Sequence, residues 1–224
     1  MLTVSTCGRK LKGMARRSSA RPLRKRSDRY HHGDLRRALL QAAVGTIRSH
    51  GVEGLTLRGV GSALGVSRTA LYRHFTDKAA LLAAVAAEGF RMLRAALTES
   101  WERGGRGRRG FAAMGAAYVQ FALAHPSHYR VMFGAARARD IVDAEHVELA
   151  QEGPGAFQVL VDAITELQSQ GLARRDDPRQ MALFVWAATH GVAMLAIDGR
   201  LSDDSSAIDD FTRYATGRIQ AAIA

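Results

Sequence analysis

Apolar residues recur every three to four positions along most of the chain after residue 32, which predicts a series of amphipathic helices. The first segment predicts a helix over about 34–49, followed by a stop at Gly51, because its large apolar residues fall on one face: Leu35, Leu39, Ala43 and Ile47. No stretch shows the sustained two-residue alternation that is typical of strands. The pattern therefore predicts an all-α protein.

Short hydroxyl side chains precede the next three helical patterns, and such side chains cap helix N-termini. Thr56 is predicted to cap a second helix, which Gly65 ends, and Ser67 to cap a third helix of about seven residues. Thr76 is predicted to cap a long fourth helix that reaches about residue 101. Two short helices joined by a Gly-containing turn favour a helix-turn-helix, whose second helix enters the major groove of DNA.

After the segment GGRGRRG at 104–110, proline and glycine divide the remainder into six predicted helices, at 111–124, 126–134, 140–151, 155–170, 178–199 and 206–222. The cluster Gly153-Pro154-Gly155 is taken as one of the breaks. We expect the last two helices to pair across a two-fold axis into a four-helix bundle. Their apolar faces carry Met181, Val185, Val192, Leu195, Ile208, Phe211, Tyr214 and Ile219.

Charge is concentrated at the N-terminus of this 224-residue chain, whose formal net charge is +11. Residues 1–29 contain ten Lys or Arg and one Asp, so about +2 remains for the rest. We predict a disordered basic arm over 1–29, a helix-turn-helix DNA-binding domain over 30–80, and a helical ligand-binding and dimerisation domain over 81–224. A basic balance favours polyanionic partners such as nucleic acid.

Cysteine content and apolar run lengths bear on the compartment. Cys7 is the single cysteine, which excludes an internal disulfide and a cysteine-based zinc site and fits a reducing cytosol. The first residues lack the apolar run of a signal peptide, and stretches such as AALLAAVAA are far shorter than the ~20 residues of a membrane span. We therefore expect a cytoplasmic protein with no membrane partner.

The outward face of the predicted third helix is rich in hydrogen-bond donors. Arginine suits guanine, hydroxyls suit bases or phosphates, and tyrosine suits a phosphate; the face carries Ser67, Arg68, Thr69, Tyr72 and Arg73. Lys78 lies in the first turn of the fourth helix, where a cation opposes the helix macrodipole. A bound phosphate would reverse that penalty, and a solvated lysine beside Asp77 is the alternative.

The stretch TLRGVGSALGVSRTALYRHFTDKAALL, residues 56–82, resembles the DNA-binding segment of the TetR family of bacterial transcriptional repressors. The resemblance implies that the first three helices bind DNA and that later helices bind a ligand and form a homodimer. It also implies roles for nine residues: phosphate contacts by Thr56 and Arg58, base contacts by Ser67, Arg68, Thr69 and Arg73, and backbone contacts by Tyr72, His74 and Lys78. Arg73 stands where many members carry an aromatic residue.

Two later stretches, HPSHYRVMFG at 125–134 and FVWAATHG at 184–191, resemble a subgroup of that family whose C-terminal domain is named for a Trp-His-Gly motif. An apolar ligand pocket needs aromatic residues with a few polar tips, and so does any core. The candidate ligand-binding residues are Tyr118, Phe121, His125, Tyr129, Phe133, Trp186 and His190. Few charges fall in these helices, which favours a neutral or weakly polar ligand.

The function expected is a ligand-responsive repressor that binds a palindromic operator as a homodimer and is released by a small, mostly apolar effector. One alternative is sequence-independent nucleic-acid binding through the basic arm, and another is a small-molecule carrier or all-α enzyme without a DNA role. We predict no catalytic residues, no metal site and no cofactor. The letters Gly105-x-Gly107-x-x-Gly110 lack the βαβ context of a dinucleotide site, and the histidines are scattered.

Overall fold

The computed structural model describes residues 32–134 and 146–224, and within these ranges the regular secondary structure is entirely α-helical. The predicted all-α class is confirmed. The predicted arm over 1–29 lies outside the described residues, as does the first half of the predicted helix at 140–151. The helices are α1 His32–His50, α2 Leu57–Ala63, α3 Arg68–Tyr72, α4 Lys78–Arg103, α5 Arg108–Ala124, α6 Pro126–Phe133, α7 Val147–Ser169, α8 Pro178–Ile197 and α9 Ser205–Ile223.

The cap of α4 differs from the prediction, which placed Thr76 there. Asp77 is the N-cap, and its carboxylate accepts the Ala80 N–H at 2.8 Å. Thr76 lies outside the helix and donates its hydroxyl to Asp77 Oδ2 at 3.4 Å. A carboxylate at this position is favoured because it satisfies a free N–H and also interacts with the positive end of the helix dipole.

The break predicted at Gly153-Pro154-Gly155 is wrong, because α7 continues through it with Pro154 inside the helix. The proline removes one backbone hydrogen bond from this turn. This part of α7 packs along α4, where Glu152 forms ion pairs with Arg91 and Arg94 at 3.2 and 3.0 Å. A Cβ at Gly155 would lie 3.1 Å from Arg94 Nη1, so the glycine lets α4 approach.

Helix α4 joins the small N-terminal helices to the rest of the fold. Its residues 81–87 are all buried, because α1 covers this end while α5, α6 and α7 cover the remainder. Leu39, Val60 and Leu71 of the first three helices pack in the same continuous apolar core as α4. The position of α3 is therefore tied to the position of α4.

Candidate DNA interface and ligand cavity

The turn between α2 and α3 has the geometry that the sequence predicts for a helix-turn-helix. Gly65 has a φ of +64°, which glycine adopts without strain. A Cβ at Gly61 would lie 3.0 Å from Leu71 Cδ2, so the two helices cross closely at that glycine. The Val66 N–H closes the turn by donating to the Gly61 carbonyl at 3.0 Å.

The hydroxyls that begin α2 and α3 are N-caps, as predicted. Thr56 Oγ1 accepts the Gly59 N–H at 3.0 Å, and Ser67 Oγ accepts the Ala70 N–H at 3.2 Å. Each hydroxyl still carries its own hydrogen, and both residues are exposed. A cap of this kind holds the start of the helix and leaves a donor for a phosphate oxygen.

The outer face of α3 is exposed because Leu71 anchors the opposite face in the core. Tyr72 is 44% exposed, and the Arg68 guanidinium lies 5.8 Å from the centroid of its ring, an arrangement that holds both side chains. Seven of the nine predicted DNA-contacting residues are exposed: Thr56, Arg58, Ser67, Arg68, Thr69, Tyr72 and Arg73. His74 and Lys78 are half-buried. Residues 56–78 carry four Lys or Arg against the single acid Asp77, so the face is basic.

A cavity of about 260 Å³ lies among α4, α5, α7, α8 and α9, and Phe133 at the end of α6 also lines it. Most of its wall is apolar, and among the described residues that line it none is charged. Four polar side chains reach it: Tyr118, Trp186, Thr189 and Thr216. The apolar wall includes Phe90, Leu93 and Leu97 of α4, and Pro154, Phe157 and Leu160 of α7. A neutral, largely apolar molecule suits this composition.

Three of the seven predicted ligand-binding residues line the cavity, namely Tyr118, Phe133 and Trp186. Tyr129 and His190 lie behind the wall and are hydrogen-bonded to Tyr118. The remaining two, Phe121 and His125, pack against each other with ring centroids 5.1 Å apart and do not line the cavity. The predicted residues include none from α4 or α7 and neither of the two threonines, because the spacing of these residues resembles ordinary core packing.

The polar groups behind the wall form one hydrogen-bonded network. Tyr129 Oη lies 2.6 Å from His190 Nδ1 and 3.1 Å from Tyr118 Oη, and Trp186 Nε1 donates to Tyr118 Oη at 3.0 Å. Burial raises the pKa of Tyr118 to about 12, although hydrogen bonds from Tyr129 and Trp186 oppose the rise. Burial also raises the pKa of Tyr129 and lowers the pKa of His190. All four groups are therefore neutral near pH 7.

An apolar face on α8 and α9 remains exposed, and it includes three residues of the predicted set, Leu195, Phe211 and Tyr214. Met181, Val185, Ile208 and Ile219 are buried in the chain's own core, and the exposed face is formed by Leu183, Phe184, Met194, Leu195, Phe211 and Tyr214. The face is offset from the predicted one because the buried side of each helix packs on its neighbours. Gly191 lies along it, and nothing in the described chain comes within 4 Å of a Cβ placed there.

Within the described ranges, α8 is the one helix that is long and apolar enough to cross a membrane, although a third of it is buried. From the sequence, we expected no stretch to approach this length. A helix with one side in a core and the other on an exposed apolar face passes the same test, so its composition is weak evidence for a membrane.

Comparisons with known proteins identify both parts of the fold. Residues 39–85 match the family model described as bacterial regulatory proteins of the tetR family, and residues 111–219 match that of the tetracyclin repressor-like C-terminal domain. The second match includes all of the 125–134 stretch and all of the 184–191 stretch. No curated protein matches the sequence.

Solved structures extend the likeness to most of the chain. A protein of unknown function from Rhodococcus sp. RHA1 is 35% identical, with a TM-score of 0.76 over 88% of this chain and 99% of that chain. PfmR, a TetR family transcriptional regulator from Thermus thermophilus, is 17% identical, with a TM-score of 0.64 over 82% of this chain and 97% of that one. A tetR family regulatory protein from Rhodococcus RHA1 is 19% identical, with a TM-score of 0.64 over 84% and 96%. The last two share the fold.

Proposed function

Because the chain belongs to the TetR family of bacterial transcriptional regulators, we propose that it is a homodimeric repressor that leaves its operator when a small, mostly apolar effector binds. The observation that carries the proposal is the cavity of about 260 Å³, because α4 lines it and also begins immediately after the DNA-reading segment. We place the protein in the cytoplasm and assign it no enzymatic role. The division into a DNA-binding part and a ligand-binding part falls near residue 80, inside α4.

The exposed face of α3 supports specific DNA binding. Arg68 and Arg73 are long, exposed donors on a helix held out by the turn, which suits bidentate contacts to guanine in the major groove. Ser67 and Thr69 contact bases beside them, while Tyr72 and His74 contact the phosphate backbone. Thr56, Arg58 and Lys78 add phosphate contacts that fix the orientation of α3.

Lys78 contributes through its own ammonium group. The Asp77 carboxylate already accepts a free N–H at the start of α4, so the helix terminus does not need a phosphate to satisfy it. A phosphate at this position meets the lysine side chain, with Asp77 close enough to limit the net attraction. We therefore expect Lys78 to contribute less than an isolated cation at a bare helix N-terminus.

The exposed face of α8 and α9 supports a two-fold dimer. Its three aromatic side chains leave about 300 Å² of surface for a partner, against about 800 Å² per partner in an ordinary specific interface. Gly191 lies on this face with open space above it, so two copies of α8 can cross closely there. Two α3 helices related by the same axis read a palindromic operator.

Release follows from the position of α4. An effector in the cavity touches Phe90, Leu93 and Leu97, and α4 also carries the buried contacts to the first three helices. An effector that prefers a different tilt of α4 shifts the dimer towards a spacing that does not fit DNA.

Fluorescence anisotropy tests the DNA-binding part of the proposal. DNA from upstream of the gene is compared with scrambled DNA at physiological salt, for the wild type, for a double variant with Arg68→Ala and Tyr72→Phe, and for a chain that begins at Asp28. We expect tight preference for the upstream DNA, lost in the double variant and largely kept without residues 1–27. Equal binding to both DNAs, abolished by the truncation, would support the alternative of a nonspecific basic arm.

A further inference from the structure

The two threonines in the cavity wall have their hydroxyl hydrogens engaged within their own helices. Thr189 Oγ1 donates to the Val185 carbonyl at 2.8 Å, and Thr216 Oγ1 donates to the Thr212 carbonyl at 2.9 Å. A hydroxyl oxygen has two lone pairs in addition to its hydrogen. Towards the cavity, each threonine therefore offers an acceptor and no donor.

The same holds for the aromatic end of the cavity. Trp186 donates its only N–H to Tyr118 Oη at 3.0 Å, and the Tyr129 hydroxyl donates to the same oxygen at 3.1 Å. The Tyr118 hydroxyl has an acceptor in His190 Nδ1, 3.2 Å away. The indole N–H and the Tyr118 hydroxyl are therefore engaged within the wall, and the two threonine oxygens are the acceptors that the cavity offers to a ligand.

We infer that the effector is an apolar molecule that carries a hydrogen-bond donor, a hydroxyl or N–H, and not a carboxylate or an acceptor-only group. This inference rests on the proposed function, since it names the ligand class of that site. Each of the four polar groups lining the cavity is an acceptor or a donor already engaged, and a carboxylate would find no cation in the wall.

The volume sets the size of the molecule. An apolar protein cavity of about 150 Å³ holds one benzene ring, so about 260 Å³ holds roughly ten carbon atoms. A bicyclic phenol meets both requirements. The probe we choose is 2-naphthol, and its matched analogues are 2-methoxynaphthalene, which accepts but cannot donate, and 2-naphthoate, which is ionised at pH 7.5.

Isothermal titration of the full chain with the three probes, without DNA, tests the inference. We expect 2-naphthol to bind about tenfold more tightly than 2-methoxynaphthalene, since the ether leaves the facing acceptors unsatisfied. We expect no measurable heat from 2-naphthoate. Tighter binding of the ether or of the carboxylate, or no binding of any probe up to its solubility, would overturn the inference.

Two variants connect the preference to the residues. Thr189→Val keeps the shape and removes an acceptor, so it should weaken 2-naphthol several-fold and leave 2-methoxynaphthalene unchanged. Thr165→Val is the matched control, because Thr165 makes the same bond to the carbonyl four residues earlier but is exposed on α7. Equal effects of the two variants would contradict the assignment.

Tyr118→Phe gives the opposite signature. It frees the Trp186 N–H towards the cavity, so the preference for 2-naphthol over the ether should disappear or reverse, whereas a purely structural role would weaken both probes alike. If this variant fails to fold, the comparison of Thr189→Val with Thr165→Val still tests the inference. The titration is independent of DNA: failure of the anisotropy experiment would remove the repressor proposal while leaving the probe preference intact, and the reverse also holds.

Discussion

The exposed face of α8 and α9 makes a quantitative prediction for Phe184→Ala. A phenylalanine offers about 200 Å² of surface, and Phe184 is 50% exposed, so a partner subunit can cover about 100 Å² of it. At about 25 cal/mol per Å² this burial stabilises a dimer by about 2.5 kcal/mol per side chain. A two-fold axis doubles the effect, and the alanine methyl retains part of it, which leaves a loss of about 4 kcal/mol. The dimer dissociation constant should rise by about a thousandfold.

Sedimentation velocity over a range of protein concentrations measures this change directly. Val147→Ala is the matched control, because Val147 is 62% exposed but lies on α7, where its neighbour Glu148 pairs with Arg36 of α1. The thermal midpoint at high concentration checks that each variant folds. A wild-type dissociation constant in the Phe184 variant, or an equal increase in the Val147 variant, would refute the assignment of the interface to this face.

Three further predictions test the reading segment and the cavity wall. Gly61→Ala should displace α3, lower the free energy of unfolding by about 1–3 kcal/mol and abolish specific DNA binding. Gly45→Ala is the control, because its Cβ meets open space, and it should stabilise α1 by up to about 1 kcal/mol in urea unfolding. Equal effects of the two variants would contradict the close approach of α2 and α3 at Gly61. Asp77→Ala should lower the free energy of unfolding by about 1 kcal/mol, and Thr76→Ala should lower it much less. The reverse order would indicate that Thr76 is the N-cap. Burial lowers the pKa of His190, so the stability that its neutral ring contributes is complete above about pH 6.5 and is lost as the pH falls below that value. His190→Gln should therefore reduce the fall of Tm with decreasing pH. An unchanged dependence of Tm on pH would contradict this assignment.

The helix-turn-helix could be predicted because its requirements are local. A capping hydroxyl, a glycine with positive φ and a small residue at the helix crossing each act within a few positions, so Thr56, Gly65 and Gly61 are visible as letters. The cap of α4 was misplaced by one residue because Thr76 and Asp77 both have suitable side chains. Only the backbone path decides which of two adjacent capping residues accepts the N–H.

The cavity could be predicted only in part, because residues in a packed core and residues that line a cavity have the same apolar spacing in the sequence. Phe90, Leu93 and Leu97 recur at helical spacing whether they face a core or an empty space. Tyr129 and His190 are 61 positions apart and meet only when α6 and α8 pack together, so no local signal shows the 2.6 Å contact. In the sequence alone, Pro154 predicts the end of a helix. The ion pairs of the nearby Glu152 involve arginines of α4, so no local signal shows that α7 continues.

The length of α4 has a mechanical consequence. Its 26 residues span about 39 Å, and about 22 Å separate Leu93 at the cavity from Lys78 at the DNA-facing end. The helix is thus a lever: a tilt of about 5° at the cavity moves its far end by about 2 Å. In the proposed dimer, two-fold symmetry would turn this into a change of up to about 4 Å between the two α3 helices, against half-sites that lie about 34 Å apart on DNA. Because residues 81–87 are buried, we expect the first three helices to move together with α4. Under the proposed function, a small displacement of α4 at the cavity wall would be amplified into a mismatch with the groove, so that a molecule bound in the cavity would set where α3 lies without touching it.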